Sequence, residues 1–277
     1  MLLLCRFLIQ FCIFVLGALL IFAPAIAQII PNHADPSARA QLPDSSAVPA
    51  IRFLTTTDFP PFNFRDPTGD LVGFNVDLAR AICDELAVVC TIQPWPWEQA
   101  EDALVSNQGD ALIGGVALDF ESAKNLDFSS VYLTFPARFV VHKANLGSFD
   151  PDMPQGAVIA VRAGSRHAVF AQRFLPGTEL LESETELEAL DAVLKGKAVV
   201  YFGDAMRAAF WLNINHECCD FLGDAYFRPD YFGEGLAIAV PAGRDAIRVA
   251  IDAALSRLQK KGKFDELYLR WFPISFY

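Results

Sequence analysis

Apolar and polar residues alternate along this chain with a period that changes from one segment to the next. Residues 51–55 form a short β-prone run, which predicts a strand. Further on, Leu78, Ile82 and Leu86 recur every four residues behind Asn75. This period predicts an amphipathic helix with Asn75 as its N-cap. A strand followed by a loop and a helix is the repeating unit of an α/β fold.

The loop between this strand and this helix is rich in proline and phenylalanine. Pro60 and Pro61 have no N–H group, so the loop cannot continue as a ladder strand. Phe59 and Phe62 therefore lie where a strand ends. Ligands of open α/β sheets bind in the crevice at such strand ends. The loop is thus a candidate binding segment.

The alternation continues to the end of the chain and predicts further strands and helices. Ser183 and Glu186 have the spacing of a capping box for one of these helices. The predicted strands are 111–115, 138–142, 157–161, 199–202 and 236–240. The predicted helices are 98–106, 183–195, 204–211, 244–260 and 263–272.

Two polar connections divide this pattern into two α/β lobes. Residues 144–156 and 228–234 are predicted to be the segments that cross between the lobes. The first lobe would contain residues 51–142 and 236–277, and the second lobe residues 143–235. Two lobes joined by two crossovers form a hinge around a cleft.

The N-terminal segment has the features of an export signal. Residues 1–27 carry one charged side chain, Arg6, then a long apolar run and a cleavage site of small residues at Ala25 to Ala27. An uncleaved membrane anchor is the alternative interpretation. Residues 28–50 are rich in Pro, Ser, Ala and Asp, which predicts a flexible leader. We therefore expect a periplasmic protein.

Charge and cysteine content narrow the class of protein further. The net charge of −11 at pH 7 would repel a polyanion, so nucleic-acid binding is not expected. Cys83, Cys90, Cys218 and Cys219 remain after the signal, and an even count is consistent with disulfides in an oxidising compartment. The adjacent pair Cys218 and Cys219 could be bonded or remain as thiols. The histidines show no spacing typical of a zinc site, and no metal is expected.

Residues 73–79, Gly-Phe-Asn-Val-Asp-Leu-Ala, resemble a motif of the periplasmic polar-amino-acid-binding proteins, the solute receptors of bacterial ABC importers. Asn75 stands where that motif has aspartate. The resemblance extends from about Ile51 to the C-terminus, and Cys83 and Cys90 coincide with a cysteine pair of the histidine- and lysine/arginine/ornithine-binding members. It implies a two-lobe periplasmic-binding-protein fold of type II and a Cys83–Cys90 disulfide. It also implies a monomer without a cofactor, with a small polar solute and an inner-membrane permease as partners.

The resemblance also implies which residues face a ligand. Phe59 and Trp97 fall where the family clasps the ligand side chain, and Asp204 falls where it binds the α-ammonium group. Gly164 and Ser165 match a Gly-Thr pair that approaches the ligand carboxylate at a helix N-terminus. The alternative roles are core packing for the two aromatic residues and plain helix capping for Asp204.

The sequence departs from the family where the ligand carboxylate is clamped. Ser122 stands in the place of an arginine, and Gly115 and Ala117 stand in the place of hydroxyl residues. Serine cannot reproduce the bidentate grip of a guanidinium group. We therefore expect ordinary α-amino acids to bind poorly or through a rearranged site. Arg162 and Arg166 are either solvated surface residues or substitutes that contact a carboxylate from the second lobe.

These observations predict a non-catalytic receptor of an ABC importer that binds an amino acid or a related polar amine and closes around it. One alternative is a periplasmic enzyme on the same scaffold, similar to the cyclohexadienyl dehydratases. Asp204 or His167 would then be its general acid. Another alternative is a sensor that reports a ligand to a different membrane protein.

Overall fold

The structure is a computed structural model that describes residues 48–115 and 124–277. The predicted signal peptide, most of the predicted leader, and residues 116–123 lie outside the described residues. Val48 is buried in the core and the first strand begins at Ala50, so the leader ends earlier than its predicted boundary at residue 50. In the described ranges, no helix is both long and apolar enough to cross a bilayer.

Strands and helices alternate through both described ranges, as the hydrophobic pattern predicts. The strands are β1 (Ala50–Thr55), β2 (Asp58–Phe59), β3 (Asn63–Arg65), β4 (Leu71–Val72), β5 (Val89–Pro94), β6 (Ala111–Leu112), β7 (Leu126–Phe128), β8 (Ala137–His142), β9 (Val158–Arg162), β10 (Glu179–Ser183), β11 (Val200–Asp204), β12 (Cys219–Tyr226) and β13 (Ala239–Pro241). The helices are α1 (Phe74–Leu86), α2 (Trp97–Val105), α3 (Arg166–Phe174), α4 (Glu186–Leu194), α5 (Ala205–Asn215), α6 (Pro229–Phe232), α7 (Asp245–Lys260) and α8 (Lys263–Trp271).

The first sheet has the strand order β5-β1-β6-β13-β7. Strand β1 pairs in parallel with β5 and β6, and β13 runs antiparallel to β6 and β7. Ile51 and Phe53 of β1 enter the core beneath α1, α7 and α8, whereas Leu54 enters a second core beside α2. Successive side chains of a strand point to opposite faces, so one strand supplies both layers.

The second sheet has the strand order β10-β9-β11-β8-β12. Strand β8 pairs antiparallel with β11 and β12, so its predicted place in the first lobe is wrong. The chain crosses before β8, where Leu133 pairs with Leu236 in an isolated bridge. Residues 144–156 connect β8 to β9 within the second sheet and are not a crossover. Their Pro and Gly content predicts a loop, but it does not indicate which sheet the following strand joins.

Helix α1 begins differently from its prediction. Its N-cap is Gly73, and Asn75 lies inside the helix, where it is fully buried. The Asn75 amide donates to Asn63 Oδ1 at 2.8 Å and accepts from the Tyr132 hydroxyl at 2.8 Å, while Asn63 Nδ2 donates to Thr56 Oγ1 at 2.7 Å. Buried polar groups need such partners. This chain of hydrogen bonds joins the end of β1 to β3, to α1 and to Tyr132, which lies in the segment that crosses to the second sheet before β8.

Two disulfides are present in the described residues. Cys83 and Cys90 are bonded to each other, as predicted, and tie α1 to β5. Cys218 and Cys219 are also bonded to each other, which decides between the two alternatives for this pair. They precede and begin β12, a strand that the sequence pattern did not predict because polar residues interrupt its alternation.

The segment after α8 packs against the crossovers between the two sheets. The Tyr277 hydroxyl donates to Thr134 O at 2.7 Å and accepts from Thr134 N at 3.0 Å. The Tyr277 carbonyl accepts from Arg138 Nη1 at 3.1 Å, and the Tyr277 ring stacks on Phe227 at 5.9 Å. One residue therefore contacts both connecting segments and the first strand of the second sheet.

Candidate functional site

A cavity of about 290 Å³ lies at the carboxyl ends of β9, β10 and β11. This is the edge of an α/β sheet at which ligands bind, because the loops and helix N-termini meet there. The side chains that line it are basic, acidic and aromatic. The lining residues are Arg162, Gly164, Ser165, Arg166, His167, Glu186, Asp204, Arg207, Tyr231 and Phe232.

The loop after β9 brings Arg162, Ser165 and Arg166 into the cavity wall. Ser165 is the N-cap of α3, and its hydroxyl accepts from Ala168 N at 3.1 Å and donates to Arg162 O at 2.7 Å. The Ser165 hydroxyl is therefore engaged in capping the helix. The α3 N-terminus and its two flanking arginines remain the groups that could attract an anion here.

Asp204 ends β11 and caps α5, because its Oδ1 accepts from Arg207 N at 2.8 Å. The carboxyl group reaches the cavity but is otherwise surrounded by protein. Burial, reinforced by the negative charge of Glu186, raises the pKa of Asp204 to about 6. The capping role proposed as an alternative for Asp204 is thus present.

Glu186 is the second carboxylate that lines the cavity, beside Asp204. The predicted capping box of Ser183 and Glu186 is wrong, since Thr185 is the N-cap of α4 and its reciprocal partner is Glu188. Glu186 therefore takes no part in the helix cap, and its side chain lines the cavity. Its Oε1 accepts from the Tyr201 hydroxyl at 2.6 Å and from Asp204 N at 3.3 Å.

The paired carboxylates predict an unusual pH dependence of stability. Between its ordinary pKa of 3.8 and about 6, folded Asp204 keeps a proton that the unfolded chain has released. The free energy of unfolding should therefore fall as pH rises from about 4 to about 6, by up to ~3 kcal/mol. Urea unfolding of the wild type and of Asp204→Asn across this range measures the effect, because the amide does not titrate. Parallel stability profiles for the two proteins would show that Asp204 titrates normally.

Positively charged side chains also line the cavity. Arg207 Nε lies 3.7 Å from Glu186 Oε2, and the Arg166 side chain reaches the Tyr231 carbonyl at 3.5 Å. His167 stacks on Phe232 with ring centroids 4.7 Å apart, and burial lowers the pKa of His167, so its imidazole is neutral at pH 7. Three arginines and two carboxylates thus face one cavity.

The residues predicted for the first lobe lie apart from this cavity. Phe59 stacks on Phe62 at 4.7 Å, and a Cβ added at Gly115 would lie 3.1 Å from the Phe59 ring, so Phe59 and Gly115 are neighbours. Trp97 begins α2 and is 45% exposed. Ala117 and Ser122 lie outside the described residues, so their predicted role stays a prediction.

The structure adds cavity residues that sequence reasoning missed. Glu186 was assigned to a cap, and its neighbour Tyr201 was assigned only to a strand. Arg207 and the α6 pair Tyr231 and Phe232 carried no motif. The one available signal was position, since Glu186 and Arg207 each lie in the first turn of a helix that follows a parallel strand.

Metal binding receives no support from the part of the chain that the structure covers. There, no three His, Cys, Asp or Glu side chains converge as metal ligands do. The prediction that the protein needs no cofactor stays a prediction.

Comparison with known proteins gives one family and several relatives. The model of the bacterial extracellular solute-binding proteins, family 3, matches residues 51–274. The arginine-binding periplasmic protein of Mannheimia haemolytica is 28% identical over 77% of this chain and 87% of its own length. The ABC transporter arginine-binding protein 1 of Escherichia coli K12 is 27% identical over 83% of this chain and 93% of its own. Both relatives are named as arginine-binding proteins.

Two solved structures match across most of the chain. An ancestral cationic amino acid solute binding protein is 28% identical, with a TM-score of 0.63, over 81% of this chain and 96% of its own. An ancestral cyclohexadienyl dehydratase is 26% identical, with a TM-score of 0.68, over 82% of this chain and 93% of its own. The α/β fold with two mixed sheets is therefore that of the periplasmic binding proteins, as predicted.

Proposed function

We propose that this chain, which belongs to the bacterial extracellular solute-binding proteins, family 3, binds an α-amino acid such as arginine between its two lobes for an ABC importer. The observation that carries the proposal is the convergence of Asp204 with Arg162 and Arg166 in one cavity. A carboxylate beside two guanidinium groups is complementary to the ammonium and carboxylate groups that every α-amino acid carries.

The arginines of the second lobe take the role that Ser122 cannot fill in the first. Arg166 is the first residue of α3 and Arg162 is the last residue of β9, so both side chains start at the loop that ends in the α3 N-terminus. A ligand carboxylate there would gain charge-assisted bonds and the favourable helix dipole. Of the two outcomes that the sequence analysis left open, poor binding of ordinary α-amino acids or binding through a rearranged site, this proposal adopts the rearranged site.

The ligand side chain would extend toward the first lobe. Phe59 is half-buried at the end of β2, and Trp97 offers an exposed indole at the start of α2. A guanidinium or ammonium group is attracted to the face of such rings. Contacts from both lobes would favour a closed form, in which the ligand is enclosed.

Calorimetry with the twenty amino acids tests the function directly. We expect L-arginine to bind, and Trp97→Ala to weaken that binding by roughly 1–3 kcal/mol, the range for losing an aromatic contact. Val105→Ala, an exposed apolar residue at the other end of α2, is the matched control. An unchanged dissociation constant in Trp97→Ala would make this residue a surface residue only. Failure of all twenty to bind would overturn the proposed function.

The names of two relatives support a proposal for the cellular location. The names of the matched proteins from M. haemolytica and E. coli place one in the periplasm and assign the other to an ABC transporter. We propose the same compartment here, with export by the signal at residues 1–27, and an inner-membrane permease as partner of the closed monomer. A chromosomal neighbourhood encoding a permease and an ATPase would support an importer over a sensor.

A dehydratase is the second candidate function. Asp204 has a pKa raised to about 6, so it carries a proton in part of its population near neutral pH, as a general acid must. The match to an ancestral cyclohexadienyl dehydratase is in keeping with this chemistry. Incubation with prephenate or arogenate, followed by ultraviolet detection of an aromatic product, separates the two functions. Turnover that is lost in Asp204→Asn would favour the enzyme.

A further inference from the structure

We infer that Glu186 is a second ligand of the substrate's ammonium group, so that the second lobe alone recognises the whole head group of an amino acid. This inference rests on the proposed function and deepens it. It assigns a specificity-determining role to a residue whose sequence position indicated only a helix cap, and it divides the cavity into an acidic side and a basic side.

The hydrogen bonds of Glu186 leave one of its oxygens available. Tyr201 is fully buried, and burial together with the charge of Glu186 raises the pKa of its hydroxyl well above the ordinary value. Tyr201 therefore remains a donor, and its bond of 2.6 Å fixes Glu186 Oε1. Oε2 faces Arg207 Nε at 3.7 Å, which is an ion-pair distance but not a hydrogen bond. An ammonium group with three donors would fit this vacant acceptor.

Glu186 and Asp204 are held side by side. The backbone N–H of Asp204 donates to Glu186 Oε1 at 3.3 Å. This bond holds the Glu186 carboxylate next to the residue that carries the second carboxylate. The mutual repulsion of the two charges contributes to the raised pKa of Asp204. A cation placed between them would relieve that repulsion, whereas a neutral or anionic group would not.

The arginines complete the head-group site. The Glu186 side chain is 12% exposed, while the Arg207 side chain is 61% exposed, so a ligand can replace Arg207 without leaving that guanidinium buried. Arg162 and Arg166 approach from the α3 side of the cavity. An amino acid would thus place its ammonium between the carboxylates and its carboxylate toward Arg162 and Arg166. The side chain would then be the part left for the first lobe.

Three ligands that differ by one group test the assignment on the full-length exported protein. L-arginine carries both head groups, agmatine lacks the carboxylate, and 5-guanidinopentanoate lacks the ammonium. Calorimetry should show that Glu186→Gln weakens L-arginine and agmatine by the same factor, about tenfold or more. It should leave the affinity for 5-guanidinopentanoate unchanged. Glu184→Gln, an exposed residue two positions earlier, is the control and should change none of the three.

The outcomes separate the possible failures. Equal weakening of all three ligands would mean that Glu186 only supports the cavity through Tyr201 and Asp204, which overturns the inference. An unchanged affinity for L-arginine in Glu186→Gln overturns it as well. If L-arginine fails but L-ornithine binds, the same comparison is made with L-ornithine, putrescine and 5-aminopentanoate. If no amino acid binds the wild type, the proposed function is overturned, and the role of Glu186 is overturned with it.

Discussion

Asp204→Asn is expected to weaken the binding of L-arginine by about 2–5 kcal/mol, the cost of removing one partner from a buried charge pair. This corresponds to a loss of affinity of roughly 30-fold to several thousandfold. Asparagine is as good an N-cap as aspartate, so α5 should keep its start and its bond to Arg207 N. Titration calorimetry at pH 7 measures the effect.

The melting temperature distinguishes this loss from misfolding. Burial disfavours the Asp204 carboxylate, so removing its charge should leave the fold equally stable or more stable at pH 7. Asp245→Asn makes the same chemical change at the exposed first residue of α7, far along the chain from the cavity, and should bind normally. Wild-type affinity in Asp204→Asn would remove Asp204 from the site and the proposed head-group geometry with it.

Gly73→Ala is expected to destabilise the fold by about 4 kcal/mol or more, which is exceptional for a single methyl group. Gly73 has φ of 133°, and a Cβ there would overlap the Phe62 carbonyl oxygen. The backbone cannot retreat easily, because Phe74 N donates to Pro61 O at 3.0 Å and Asn75 N donates to Phe62 O at 2.8 Å. Those bonds hold the loop that carries Phe59, so ligand binding should suffer as well.

Gly69→Ala is the matched control for this effect. Gly69 also has a positive φ, of 92°, but no atom lies within 4 Å of its added Cβ. It should therefore cost only the backbone strain, about 1–2 kcal/mol. Urea unfolding of both variants isolates the steric part as the difference between them. Equal destabilisation of the two variants would mean that the steric overlap with Phe62 contributes nothing to the loss of stability in Gly73→Ala.

Much of the fold followed from periodicity, because burial repeats with the geometry of the element. Helix α7 and helix α8 lie within a residue of their predicted bounds, and β8 and β9 were also found. Sheet membership did not follow, because pairing depends on partners distant in sequence. Strand β8 is buried in the same way in either sheet, so its own residues carry no information about which sheet it joins.

The candidate site was predicted in part, and the missing part has a physical reason. Arg162, Ser165, Arg166 and Asp204 lie together because the chain places helix starts after parallel strands. Glu186 was hidden because an acidic residue in a first helical turn is ordinarily explained by capping and the helix dipole. Only the structure shows that Thr185 and Glu188 make that cap, which leaves Glu186 for the cavity.

The position of Tyr277 matters for anyone who attaches a label to this protein. Its hydroxyl is bonded to Thr134, and its ring lies on Phe227, at the two segments that join the sheets. A fluorophore or affinity tag attached at this position would therefore disturb the connecting segments that the proposed closure would bend. A dye at the exposed Leu269 of α8 and another at Ile214 of α5, which is 81% exposed, would leave these contacts intact.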